Sequence, residues 1–129
     1  MARERDNFIA EHFMDWTRWD TFCDKDKTVP QVLFHVPGKQ WPVEAPKWST
    51  DSTLAQQLAY VELPKKGYRV EIVVAAANDP TVLKEERVQC LAVKYGQATK
   101  FFRATGETFS DAVTKVVCQV AQDQINQQT

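Results

Sequence analysis

The chain has 129 residues, with 16 Lys and Arg against 17 Asp and Glu, a formal net charge of −1. Hydrophobic residues make up 43% and charged ones 26%, an ordinary composition for a globular domain and enough to build one real core. This balance excludes the strongly basic surface of a general nucleic-acid binder, and no window reaches the roughly 18 apolar residues a spanning helix needs.

The opening MARERDNF carries both signs of charge and no apolar signal stretch, which implies a cytoplasmic protein. The length implies a single domain over 1–129. Residues 5–16 read as a helix with Asp6 as N-cap. Phe8, Ile9, His12, Phe13 and Trp16 fall on one face. His12 reads as a packed or hydrogen-bonded core histidine rather than a catalytic one.

Residues 17–48 hold four of the six prolines and three of the four tryptophans, Trp19, Trp41 and Trp48. This stretch reads as a long, mostly irregular loop, with a short strand possible near 32–36 where Val32, Phe34 and Val36 alternate with Leu33 and His35. Its aromatic content argues against disorder. Its tryptophans either seal an edge of the core or form a contact surface. Ser49, Thr50 and Asp51 then start a helix over about 50–63, with Leu54, Ala55, Leu58 and Val61 on one face and Pro64 ending it.

Three strands follow, at about 68–76, 88–95 and 98–104. In the first, Tyr68, Val70, Ile72, Val74 and Ala76 point one way, Arg69 and Glu71 the other. Gly96-Gln97 makes a tight link between the second and third, so the sheet reads as an antiparallel meander. The last helix spans about 108–122, with Thr108 as N-cap. Phe109, Ala112, Val113, Val116, Val117, Val120 and Ala121 form an apolar stripe of 3.6-residue period, flat enough to lie on a sheet. The polar residues 123–129 read as a frayed tail. Three amphipathic helices and a small antiparallel three-stranded meander give an α+β fold, arranged as an α/β/α layered sandwich.

Taken together, three stretches resemble the phage ABA-sandwich domain: IAEHFMDW at 9–16, WSTD at 48–51 ahead of a helix, and RATGETFSDAVTKVVCQVA at 103–121. The resemblance implies a small phage or prophage protein, working in the host cell cytoplasm, with a layered fold and no defining activity. Asp15 stands where that family often has Gly. Val116, Val117 and Cys118 replace a run richer in Ala and Leu, and the 17–47 loop and 78–87 insert look longer than usual.

No catalytic constellation is legible. GxGxxG, P-loop, HExxH, CxxC and GxSxG patterns are all missing, and His12 and His35 are the only histidines. Asp24 and Asp26 resemble half a calcium loop without its later Gly and Glu, which leaves a solvated loop as the reading. Cys90 and Cys118 read as inert packing thiols, and Cys23, in a charged loop, as the one that could react. No enzyme, metal or cofactor is therefore expected.

The sequence points instead to a binding module. Its candidate surface is Arg18, Trp19, Phe22, Trp41, Lys47 and Trp48, with Arg69, Lys100 and Arg103 from the strands. Aromatics beside cations anchor protein interfaces, and they also stack bases and neutralise phosphates. The leading reading is a protein–protein interaction module that meets a host factor or its own copies. The second is a sponge that sequesters a small nucleotide messenger of host defence in a pocket between subunits.

Overall fold

The computed structural model describes residues 2–21, 31–76 and 78–128. It is α+β, with two small antiparallel sheets, of two and three strands, and helices packed against them.

The first helix, α1, spans Ala2–Phe8 and continues as a π-helical turn over Ile9–Phe13. It starts earlier than expected because Arg3, Glu4 and Arg5 are good helix formers. Asp6 consequently lies inside the helix and is not its cap. The wider π turn rotates the buried face, so Ile9, Ala10 and Phe13 are fully buried while His12 is only partly covered, beside the Phe8 ring at 4.7 Å. The helix ends at Asp15, which adopts a left-handed φ of 59°, and Trp16 N donates to Ala10 O at 2.9 Å. A left-handed residue at a helix end favours Gly and tolerates Asp.

Much of the expected long loop is instead a hairpin. Strand β1 (Thr17–Thr21) pairs antiparallel with β2 (Gln31–His35), and Phe34 makes a further two-way bridge to Val43. Residue-by-residue alternation found β2 but not β1, since a five-residue strand becomes visible only through its partner.

The second helix begins with α2 (Ser52–Gln57), passes through a π turn at Leu58–Glu62, and closes with the short α3 (Leu63–Lys65). Asp51 caps it as expected, accepting from Thr53 N at 2.9 Å and Leu54 N at 3.2 Å. The π turn again shifts the face: Ala59 and Leu63 are buried, and Val61 is exposed. Pro64 sits in the first positions of α3 rather than beyond the helix, where its missing N–H is tolerated.

Strands β3 (Tyr68–Val74), β4 (Val88–Lys94) and β5 (Gln97–Gly106) form the meander in that order. The final helix, α4 (Phe109–Gln128), lies on β4 and β5 and meets α1 and α2 on its other side. Its predicted stripe is fully buried from Ala112 to Ala121, and Thr108 Oγ1 caps it by accepting from Asp111 N at 3.1 Å. The expected fraying does not occur: the helix runs to Gln128. Lys100 holds Asp123 at 2.9 Å, and Gln122–Asn126 and Gln127–Asp123 pair one turn apart.

The inner face of the sheet, through Tyr68, Val88, Cys90 and Ala92, joins the core. Its outer face carries no helix among the described residues, so the second helical layer expected of an α/β/α sandwich is not seen on it.

Candidate functional site

The 9–16 and 48–51 stretches meet in space. Asp6 is 2% exposed and accepts from Ser49 N at 2.9 Å and Ser49 Oγ at 3.0 Å, while the Trp16 and Trp48 rings lie 5.6 Å apart. WSTD is therefore a joint: Trp48 fills the core, Ser49 locks onto α1, and Asp51 starts the next helix. Trp48, expected as a surface candidate, is 4% exposed and belongs to the core. An indole next to a Ser-Thr-Asp helix start is used for packing here, against Trp16 and beside the Ser49–Asp6 bonds.

Burial raises the Asp6 carboxyl above its ordinary value, partly opposed by the Ser49 hydrogen bonds and by Arg3 and Arg5. The folded chain holds this proton to higher pH than the unfolded chain does. Stability from this group is thus lost as pH rises through the raised value. Asp6→Ala strands the buried Ser49 N–H, and a loss of about 1–3 kcal/mol is expected in urea melts. Asp6→Asn, which keeps one acceptor, is expected to lose less.

The two other tryptophans are on the surface. Trp19 pairs with Leu33 on the outward side of the β1–β2 hairpin and is 55% exposed; Trp41, in the segment after it, is 72% exposed. Arg18 stands on the opposite side of β1, in register with Phe34, and reaches Glu11 at 3.7 Å. Lys47 is exposed, and its carbonyl accepts from Thr50 N and Asp51 N. Phe22, Cys23 and the Asp24–Lys27 cluster lie outside the described residues.

The strand cations do not converge on these tryptophans. Lys100 turns to the α4 side and pairs with Asp123. Arg69 and Arg103 are on the outer face, on the two edge strands and in adjacent rows, about 12 Å apart by two strand spacings and one two-residue step. The predicted set therefore divides into a hairpin group, a sheet-face group, and two residues tied into the fold, Trp48 and Lys100.

The sheet face also holds what was missed. Val73 is 60% and Phe101 56% exposed there, beside Leu91 and Val93. The signal was present in β4: Val88, Cys90 and Ala92 point inward, yet the alternate positions Leu91 and Val93 are apolar too, where a solvated face would be polar. Gln89, Leu91, Val93, Phe101 and Arg103 line a shallow hollow of about 290 Å³, small for a ligand pocket.

The two described thiols are quiet. Burial pushes Cys90 up to about 12 and Cys118 up to about 11, far from a reactive thiolate. Among the described residues no cluster of His, Cys, Asp or Glu is placed to hold a metal ion, and no helix is long and apolar enough to cross a membrane.

No family model and no curated relative matches the chain. Among solved structures, the fold is similar to that of a phage protein from Bacillus cereus ATCC 14579, known from a 2.0 Å crystal structure. The TM-score is 0.59 at 16% identity, over 95% of this chain and 88% of that one, a likeness of fold.

Proposed function

We propose that the chain is a small phage or prophage accessory protein, of the layered ABA-sandwich type, that acts by binding another protein and not by catalysis. The observation that carries this reading is the pair of tryptophans left open on and beside the hairpin. The described residues include twenty buried hydrophobic ones, Trp48 among them, yet leave Trp19 and Trp41 more than half exposed. Tryptophan is the side chain most enriched among binding hot spots, because it covers a large apolar area with little rotamer entropy to lose. The fold likeness to a phage protein and the three motif stretches support the phage setting, with the host cytoplasm as its compartment and a host factor as the partner.

The test is recovery of a stoichiometric partner from host extract by the tagged chain. The paired substitution Trp19→Ala/Trp41→Ala is expected to weaken capture by roughly 30-fold, about 2 kcal/mol, with an unchanged melting temperature. Equal recovery by both chains overturns the hairpin as the contact. Capture of a nucleotide messenger is the competing reading. It needs cations gathered in one pocket, and in a single copy Arg69, Lys100 and Arg103 are dispersed. A clear rise in melting temperature against a panel of cyclic and ADP-ribose-type nucleotides would favour it.

A further inference from the structure

The outer face of β3–β4–β5 carries a pattern as well as apolar area. The register places Arg69, Val93 and Phe101 in one row across the sheet, and Glu71, Leu91 and Arg103 in the next. Apolar side chains occupy the middle strand, and opposite charges stand on the two edges of the second row.

We propose that this face is the interface of a two-fold dimer of the chain, two sheets packed face to face about an axis along β4, with Glu71 of each copy meeting Arg103 of the other. This surface is separate from the hairpin and does not rest on the reading of Trp19 and Trp41. A two-fold axis along the strands lays β4 on β4, and β3 on β5 of the second copy. It sets Glu71 against Arg103 twice, Arg69 over Phe101 twice, and Leu91 and Val93 against their own counterparts. An axis across the strands through the second row would oppose Glu71 to Glu71 and Arg103 to Arg103; one between the rows would pair Glu71 with Arg69 and set Arg103 over Phe101, and exchanging the charge at Arg103 separates that arrangement from the first.

Packed sheets stand about 10 Å apart, a gap that a Glu and an Arg span together. Strand twist turns such sheets by about 30°, which keeps the rows matched near the axis. Arg69 lies 3.8 Å from Glu71 within one copy, but their side chains are 61% and 53% exposed, so this weak pair yields readily to a second partner. The paired stretches of the three strands cover about 20 by 15 Å, about 600 Å² over the two copies, well below a standard interface, so the association is a weak and transient one. An Arg guanidinium over an aromatic ring adds attraction at its rim. The dimer would place a second sheet on the face that the chain's own helices leave open.

Sedimentation equilibrium between about 5 µM and about 500 µM, a range that brackets a micromolar Kd, tests this arrangement. The wild-type chain is expected to pass from monomer to dimer. Glu71→Arg alone and Arg103→Glu alone each create two like-charge contacts and are expected to weaken association at least about tenfold. An equal mixture of the two variants is expected to dimerise again, because both contacts in the mixed dimer join opposite charges. Both positions are exposed, so each variant should keep the wild-type melting temperature. A monomeric wild type across the range, variants that associate like the wild type, or a mixture that stays monomeric overturns the proposal.

Discussion

Phe34→Ala is expected to cost about 3–5 kcal/mol, a large share of the roughly 5–15 kcal/mol that holds a domain folded. Phe34 is fully buried although it belongs to a two-stranded hairpin at the margin of the fold. Its backbone is held from both sides, by Arg18 in β1 and by the bridge to Val43, with Phe34 N donating to Val43 O at 2.7 Å and Phe34 O accepting from Val43 N at 3.0 Å. The ring therefore cannot drift to fill a void elsewhere, and its neighbours cannot follow its removal. At about 4 °C per kcal/mol the melting temperature should fall by about 12–20 °C. Phe34→Leu, which keeps most of the volume, should lose less than half as much. A loss under about 1 kcal/mol for Phe34→Ala would show that the hairpin is an appendage and not part of the core.

The second large effect is expected at Gly106, the last residue of β5. A Cβ built there would lie 2.5 Å from Asp111 Oδ2 and 2.8 Å from Ala112 N. Neither atom has room to retreat. Asp111 takes Arg5 Nη1 at 2.6 Å and Lys115 Nζ at 3.1 Å, and Ala112 N donates to Thr108 O at 3.1 Å in the first turn of α4. Burial pushes the Asp111 carboxyl up, but the bonds from Arg5 and Lys115 outweigh it and leave the group below its ordinary value. Gly106→Ala must break this cap or bend the strand, and about 2–3 kcal/mol of lost stability is expected, read as a melting temperature about 10 °C lower. A melting temperature within 2–3 °C of wild type, under 1 kcal/mol on the same scale, would mean that the strand end moves freely.

These two residues differ in how far the sequence reveals them. The stripe on α4 and the caps at Thr108 and Asp51 were legible because periodicity and capping are local. Phe34 was legible as part of an alternating run, but its burial depends on β1 and Val43, which no local window contains. On each of the first two helices one residue of the expected face gives way to one two positions earlier, Ala10 for His12 and Ala59 for Val61. A π turn inserts its extra residue without a residue type that announces it. Trp48 and Trp41 could not be separated either, since tryptophan serves cores and interfaces equally well; the long-range contacts of Trp48 with Trp16 and of Ser49 with Asp6 decide. The open sheet face was half legible: the apolar alternate positions of β4 were there to see, but whether a helix covers them is a matter of long-range packing.

The pairing of α1 with α4 has a consequence for synthesis. Arg5 and Asp111 are 106 positions apart, so the surface that receives Ile9, Ala10 and Phe13 leaves the ribosome more than a hundred residues after they do. At about 5–20 residues per second, these side chains wait on the order of 5–20 s without their docking partner. The β3–β5 meander and α4, whose contacts are mostly between neighbours in the chain, can assemble as soon as they emerge. The amino-terminal helix is then the piece that closes the molecule, and its nascent apolar flank is where chaperone capture or misassembly would begin.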